Sequence, residues 1–334
     1  MKSHSGAVPP VSMKGRFLLA EPSMTDSKID TIPSGGPRLA HFSDMHVFLP
    51  KYGLSWRDIL SKRVAGWANL RLAGRAWRFR HAGKVLEAFA ADLNETRPDH
   101  LVFSGDAGCL GSGAEFDLAL NRLGGLLQRP GVAVPGNHDH LVQRSVDNRE
   151  FETRFAPWQQ GIRAGEDAIY PFAQRVGGWW IIAVNSSAPT RFPWDAKGRV
   201  GAAQLARLDS LLDKLDNSPR LMVTHYPAML QDGSPEWSSR RLLDLDKLVR
   251  TAERGGVRAW LHGHRHNAYH LPPAPGRPFA LICAGSVTQT RRWSYGTYDL
   301  AQDRIRGERR RYNPESGRFE SLLAFEIPLQ RAVA

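Results

Sequence analysis

An α/β fold with an antiparallel C-terminal part follows from three features of the 334-residue chain. Short apolar runs alternate with amphipathic helical stretches, and each run ends in a polar cluster, the pattern of a sheet carrying its site along the strand C-termini. Arg304–Tyr312, a turn over 313–317 and Arg318–Ile327 then form a hairpin, so the last strands run antiparallel.

The elements follow in order. Residues 1–37, rich in Ser, Gly, Pro and Met, predict a flexible N-terminal tail, and ordered structure is expected from 38 to about 330. Leu39–Phe42 predicts a buried strand that delivers Ser43, Asp44, Met45 and His46 at its tip. Val85, Leu86, Phe89, Ala90 and Leu93 have helical spacing, and Arg97-Pro98-Asp99 stops that helix before the strand His100–Phe103. Phe116–Leu127 predicts a helix, and Val132–Val134 a strand running into Pro135, Gly136, Asn137 and His138. Strands are expected at Trp179–Val184, Leu221–Thr224, Ala259–Leu261 and Phe279–Cys283, with helices at Ala202–Leu215 and Leu242–Ala252 between them.

Composition excludes several classes. Hydrophobic residues at 42% and ten Trp supply a core, so disordered and fibrous classes fall away. Cys109 and Cys283 are too few for a disulfide scaffold and form no Cys-x-x-Cys pair. Near the N-terminus the longest apolar run is Phe17–Ala20, short of a signal-peptide core of ~7 to 15 residues, which leads us to expect a cytoplasmic protein or one peripheral to the inner face of the cell membrane. The formal charge of +12 is concentrated: residues 51–84 hold nine Lys or Arg against the single acid Asp58, a net +8, which leaves +4 elsewhere.

The strand tips carry the chemistry. In order they are Asp44-x-His46, Gly105-Asp106, Gly136-Asn137-His138-Asp139, Thr224-His225 and Gly263-His264-x-His266. Alone each is weak, since a strand-end His is more often a hydrogen-bonded structural residue. Together they place seven metal-ligand types where a sheet brings them to one edge. Mixed imidazole and carboxylate donors suit Mn, Fe, Zn, Co or Ni, and the absence of thiolates argues against a structural zinc site.

This order and spacing resembles the calcineurin-like metallophosphoesterase superfamily, over about residues 38–300. The resemblance implies a four-layer α/β/β/α sandwich with two mixed sheets, and a dinuclear centre with manganese the leading ion. Asp44, His46 and His266 would hold one ion, Asn137, His225 and His264 the other, and Asp106 would bridge them. The chemistry is coherent: two ions ~3.5 to 4 Å apart neutralise a phosphoester's charge and make hydroxide available near neutral pH. His138, beside ligand Asn137, would protonate the leaving group. Some branches orient this His with an Asp three residues after the bridging one, where this chain has Cys109; Asp139 is a candidate for that role, or else a helix N-cap. His140 and His262 are expected to be structural, and Ser104 and Thr224 to satisfy neighbouring hydrogen bonds.

Residues 51–84 read as a basic, Trp-rich cap insertion beginning five residues after His46. If helical, Trp56, Ile59, Leu60, Val64, Trp67, Leu70 and Trp77 fall on one broad side, interrupted by Arg63, Arg71 and Arg78 and weakened by Gly66 and Gly74. A structural cap, a substrate clamp using Arg71, Arg75 and Arg78, an anionic membrane surface and nucleic acid are all compatible with it. The phosphoprotein branch carries Gly-Asp-x-x-Asp-Arg-Gly and Gly-Asn-His-Glu, whereas this chain has Gly105-Asp106-Ala107-Gly108-Cys109 and Gly136-Asn137-His138-Asp139, which disfavours that branch. A phosphodiester or pyrophosphate substrate, small or lipid-linked as in UDP-diacylglucosamine hydrolysis, is the leading expectation. A cyclic-nucleotide phosphodiesterase and a nuclease are the alternatives, and a non-catalytic scaffold is disfavoured because no ligand position is lost.

Overall fold

The computed structural model describes residues 36–59 and 61–329, so all but the last two residues of the expected tail lie outside it. Strands in chain order are β1 (Arg38–Phe42), β2 (His100–Phe103), β3 (Gly131–Ala133), β4 (Ile162–Arg163), β5 (Phe172–Val176), β6 (Trp179–Ala183), β7 (Arg220–Val223), β8 (Val257–His262), β9 (Tyr269–Leu271), β10 (Ala280–Cys283), β11 (Ser294–Leu300), β12 (Arg304–Asn313) and β13 (Arg318–Pro328). The α-helices are α1 (Lys62–Arg71), α2 (Arg75–Arg78), α3 (Ala82–Thr96), α4 (Gly113–Leu123), α5 (Gln143–Asp147), α6 (Glu150–Arg154), α7 (Ala202–Lys214) and α8 (Leu245–Arg254).

Two mixed sheets result, in the orders β13-β12-β11-β1-β2-β3 and β4-β5-β6-β7-β8-β10-β9. β1, β2 and β3 are parallel, as are β6, β7, β8 and β10, while the antiparallel strands lie outside these runs. Strand alternation divides the apolar residues between layers. Leu39 of β1 faces the second sheet with Val102, Val132, Ile181 and Leu261, whereas Ala40 and Phe42 face α3 and α4 with Phe89, Phe103 and Phe116. A third core, around Leu208, Leu211, Leu248 and Trp260, joins the second sheet to α7 and α8. Three cores between four layers give the expected sandwich, each fully buried large side chain contributing about 1.5 to 3 kcal/mol.

Local signals explain the helix bounds. α3 buries Val85, Leu86, Phe89 and Leu93 and ends at Arg97, whose φ of +45° and following Pro98 stop it. α4 begins at Ser112, which forms a capping box with Glu115. The expected helix to Leu127 is α4 followed by a 3₁₀ turn over Gly124–Gln128, because Gly124 and Gly125 break the α pattern.

The insertion departs from the single-stripe expectation. It is a 3₁₀ turn at Trp56–Asp58, then α1 and α2, separated at Gly74 with φ +72°, and its basic run ends within α3. Leu70 is buried against Cys109, Leu110 and Leu141, with Trp67 half-buried beside them, but Trp56, Ile59 and Trp77 are exposed. The Leu60 side chain lies outside the described residues. The stripe fails because each piece of helix is too short to keep one face on the core, and because Arg63 takes a packing position, donating to the carbonyls of Leu110 and Gly111.

Candidate metal centre and leaving-group site

Parallel register brings the tips to one edge. Phe42 lies opposite Phe103 and Phe103 opposite Ala133, so Asp44, Asp106 and Asn137 emerge side by side. Val223 opposite Leu261 does the same for His225 and His264 in the second sheet. The chain must then fold sharply over itself: Asp44, His46, Asp106, His264 and His266 all have φ between +42° and +70°. Such left-handed backbone costs roughly 1 to 3 kcal/mol at a non-glycine residue and persists where surrounding structure imposes it. Glycine makes the close approaches possible: a Cβ on Gly136 would lie 2.1 Å from Asp106 Oδ1, and one on Gly263 1.9 Å from Ser43 Oγ.

Three groups of side chains meet within ligand reach: Asp44, His46 and His266; His46, Asp106 and His138; and Asp44, Asp106 and His225. Asp106 Oδ2 lies 3.6 Å from His46 Nε2 and 3.3 Å from His225 Nε2, between the two sides of the cleft. Asn137 Oδ1 lies 3.2 Å from His225 Nε2 and 2.9 Å from His264 Nδ1.

The hydrogen-bond partners fix which nitrogens face inward. His225 Nδ1 lies 2.7 Å from the Ser104 carbonyl and His266 Nδ1 faces Gln289 Oε1, so both nitrogens carry the proton and both Nε2 lone pairs point into the cleft. There His266 Nε2 meets His46 Nε2 at 3.0 Å and Asp44 Oδ1 at 3.0 Å. Among the described residues, buried Asp44 Oδ1 has no hydrogen-bond donor and buried His264 Nε2 no partner. Lone pairs and carboxylate oxygens packed against one another repel, so the donor set fits divalent cations.

Without an ion the same carboxylates draw a proton instead. Burial opposes charge on His225, but the Asp106 and Asp44 carboxylates overcome it and raise its pKa to about 9. Burial lowers His46 to about 4 despite Asp44 and Asp106. Asp106 stays below the usual carboxylate range because His225 and His138 outweigh its burial.

The model of the calcineurin-like phosphoesterases matches residues 37–268. The chain belongs to that family. It is a phosphoesterase, a hydrolase, of a family that depends on two metal ions. No curated protein matches the chain. Among solved structures it is similar in fold to a dimetal phosphatase from Danio rerio, at 16% identity over 88% of this chain and 100% of that one, with a TM-score of 0.60. It is also similar to a purple acid phosphatase from yellow lupin seeds, at 13% identity over 89% of this chain and 54% of that one, with a TM-score of 0.54. A third likeness, with a TM-score of 0.53 and 12% identity over 89% of this chain and 90% of the other, is to GAP50, the anchor in the inner membrane complex of Plasmodium.

The phosphoesterase orients His138 without a carboxylate. His138 Nδ1 lies 2.8 Å from the Cys109 carbonyl, which only accepts, so the position read as lacking an orienting Asp supplies its backbone oxygen instead. Asp139 neither orients His138 nor caps a helix; it is fully buried and accepts from the amides of Asp106, Ala107, Gly108 and Gly136. His140 pairs with Glu152 at 2.9 Å, and His262 is buried with its Nδ1 3.0 Å from the Gly263 carbonyl. Ser104 Oγ meets His41 Nε2, and Thr224 accepts from Trp260 Nε1.

Of the three insertion arginines, Arg75 alone reaches the site, its Nη2 2.8 Å from His138 Nε2. Arg71 donates to the carbonyls of Leu49 and Pro50, and the Arg78 side chain is exposed while its carbonyl accepts from Thr290 N. Sequence reasoning missed Gln289, which orients His266, and two rings on the histidines: Phe79, 4.7 Å from His46, and Tyr226, 4.5 Å from His264. Tyr226 directly follows His225 and could have been found there. Gln289 could not, because its segment reads as an ordinary polar turn after β10.

Proposed function

We propose that this phosphoesterase hydrolyses the phosphodiester or pyrophosphate bond of an amphiphilic substrate presented at an anionic membrane surface. Asp44, His46 and His266 would hold one divalent ion, Asn137, His225 and His264 a second, and Asp106 would serve both. When bound there, two such ions, manganese in our reading, would supply neutralisation of phosphoryl charge and a lowered pKa for water. The chain's own residues do the rest: Asp106 keeps the two ligand groups together, Gln289 and the Ser104 carbonyl hold two imidazoles in the tautomer that faces inward, and His138 Nε2 lies where a departing oxygen takes a proton.

The observation that carries the membrane reading is an exposed aromatic and basic rim joined directly to the cleft. On one side Trp77, 67% exposed beneath Arg80, lies two residues from both Arg75 and Phe79. On the other, Phe192 and Trp194 stack at 5.1 Å with Arg191 over Phe192, and Trp194 is 71% exposed. Lys62 of the insertion ties the two together, bonding Thr190 Oγ1 and the Asp195 carbonyl at 2.6 Å each, and Tyr226, stacked on His264, donates to the Ala196 carbonyl. Indoles interleaved with arginine suit the headgroup level of an anionic bilayer. Among the described residues no helix is long and apolar enough to cross a membrane.

Flotation of the Mn-loaded protein with vesicles tests this. Binding is expected to rise with anionic lipid, to fall with salt by roughly 1 kcal/mol per engaged basic residue, and to weaken in Trp77→Ser/Trp194→Ser with metal content retained. No binding, or equal binding to neutral vesicles, defeats the membrane reading. Hydrolysis of a cyclic nucleotide or of single-stranded DNA in preference to a diester or a nucleotide-linked lipid would favour the alternative branches.

A further inference from the structure

The pairing of Arg75 with His138 is unlike the rest of the site. The Cys109 carbonyl holds the proton on Nδ1, so His138 Nε2 is a neutral acceptor, and among the described residues the group that meets it is a guanidinium brought by the insertion. Arg75 is half-buried, and among the described residues no carboxylate forms an ion pair with it. Among the described residues its buried Nε–H has no partner. A guanidinium offers five donors in a planar fork matched to carboxylate and phosphate oxygens, and here the fork lacks an anion.

The placement is built. Phe79 lies 5.9 Å beneath the Arg75 guanidinium and 4.7 Å from the His46 ring, so one aromatic side chain positions both. Thr290 N binds the Arg78 carbonyl at 2.7 Å, and the preceding residue, Gln289, orients His266. α2 is thus fastened to the segment that fixes a candidate ligand, and Arg75 stands at the mouth of the cleft on the leaving-group side.

We propose that Arg75 is the anion-binding residue of this site and that it has two positions: on His138 Nε2 when the site holds no anion, and on a phosphoryl oxygen when it does. Arrival of an anionic phosphate draws the fork off the imidazole, satisfies the Nε–H, and frees His138 Nε2 to take a proton from solvent and pass it to the leaving oxygen. The insertion thereby couples substrate occupancy to exposure of His138 Nε2. The assignment rests on the phosphohydrolase reading above, with His138 on the leaving-group side.

Inorganic phosphate is the probe, and the readouts are its affinity by calorimetry and the ¹⁵N signal of His138 Nε2 at fixed pH, each on the full chain. For the wild-type protein, phosphate should bind and shift the Nε2 signal. Arg75→Gln should weaken phosphate binding about 10- to 100-fold, the loss of a charge-assisted bidentate contact, and its Nε2 signal should already be shifted without phosphate. Arg75→Lys, which keeps the charge and loses the fork, should fall between. Unchanged phosphate affinity in Arg75→Gln, or a wild-type Nε2 signal indifferent to bound phosphate, overturns the proposal. Loss of phosphate-dependent behaviour together with failure of the wild type to bind metal or cleave bis(p-nitrophenyl) phosphate overturns the phosphohydrolase reading too, whereas a wild type active on that diester with an indifferent Arg75→Gln sinks the Arg75 assignment alone.

Discussion

The Asp139 carboxylate holds the Asp106 loop by its backbone: Oδ2 accepts from Asp106 N at 2.7 Å and from Gly136 N at 2.8 Å, while Oδ1 accepts from Ala107 N at 2.8 Å. One buried side chain thus fastens two strand tips that carry Asp106 and Asn137. It fixes the left-handed turn at Asp106 from outside the cleft.

Asp139→Asn replaces one of those acceptors with a donor facing buried amides. Leaving such groups unpaired costs about 1 to 3 kcal/mol each, and displacing groups that position ligands commonly lowers metal affinity about 10- to 100-fold. Thermal unfolding and metal titration of the variant should both worsen. A variant matching the wild type in both shows that the loop is held by other contacts.

Asp106→Ala removes the oxygen placed between His46 and His225. Metal analysis after desalting should find both ions lost, while the far-ultraviolet spectrum is unchanged, because Asp106 contributes nothing to the three apolar cores. Retention of a full ion at either side contradicts a bridging role.

His138→Ala should keep the metal content and lower turnover by about 10²- to 10⁴-fold, the range for a lost general acid. The deficit should shrink with p-nitrophenol as the leaving group, since that oxygen departs without a proton. Because His138 also meets His46 and Asp106 within ligand reach, metal loss in the variant would instead assign it as a ligand.

Acid stability provides a further check away from the cleft. Burial lowers the pKa of His100 from 6.5 to about 4, outweighing a hydrogen bond with Gln174 and the nearby Asp99 carboxylate. The folded state takes this proton less readily than the unfolded chain, so the stability is complete above pH 6.5 and is lost as pH falls towards 4. The loss from this group is about 3 kcal/mol. Denaturant unfolding across that window should show His100→Gln with a shallower pH dependence than the wild type; parallel curves would rule out this assignment.

The parallel strands were legible because each is an apolar run closed by a polar tip, and their spacing survives in one dimension. β11 was not, although β1 pairs with it along four residues from Arg38 to His41. Its sequence, Ser294-Tyr-Gly-Thr-Tyr-Asp-Leu300, is too polar to read as interior, yet all but Asp299 are buried, since helices and a second sheet cover both faces. Burial of that kind comes from neighbours that the local pattern does not contain.

By itself the sequence determined the layered fold, the family and the seven side chains gathered at the strand tips, because ligand chemistry demands particular residue types at the ends of particular strands. Only the tertiary structure decided how they are aimed. The Cys109 carbonyl, Gln289 and Arg75 reach the site from other segments, Asp139 lies beside His138 but holds backbone amides instead of orienting it, and the Cys109 and Asp139 contacts run through backbone groups that every residue possesses. Hydrogen bonds to backbone leave no signature in residue identity, and so the positions that orient the site could be found only once the chain was folded.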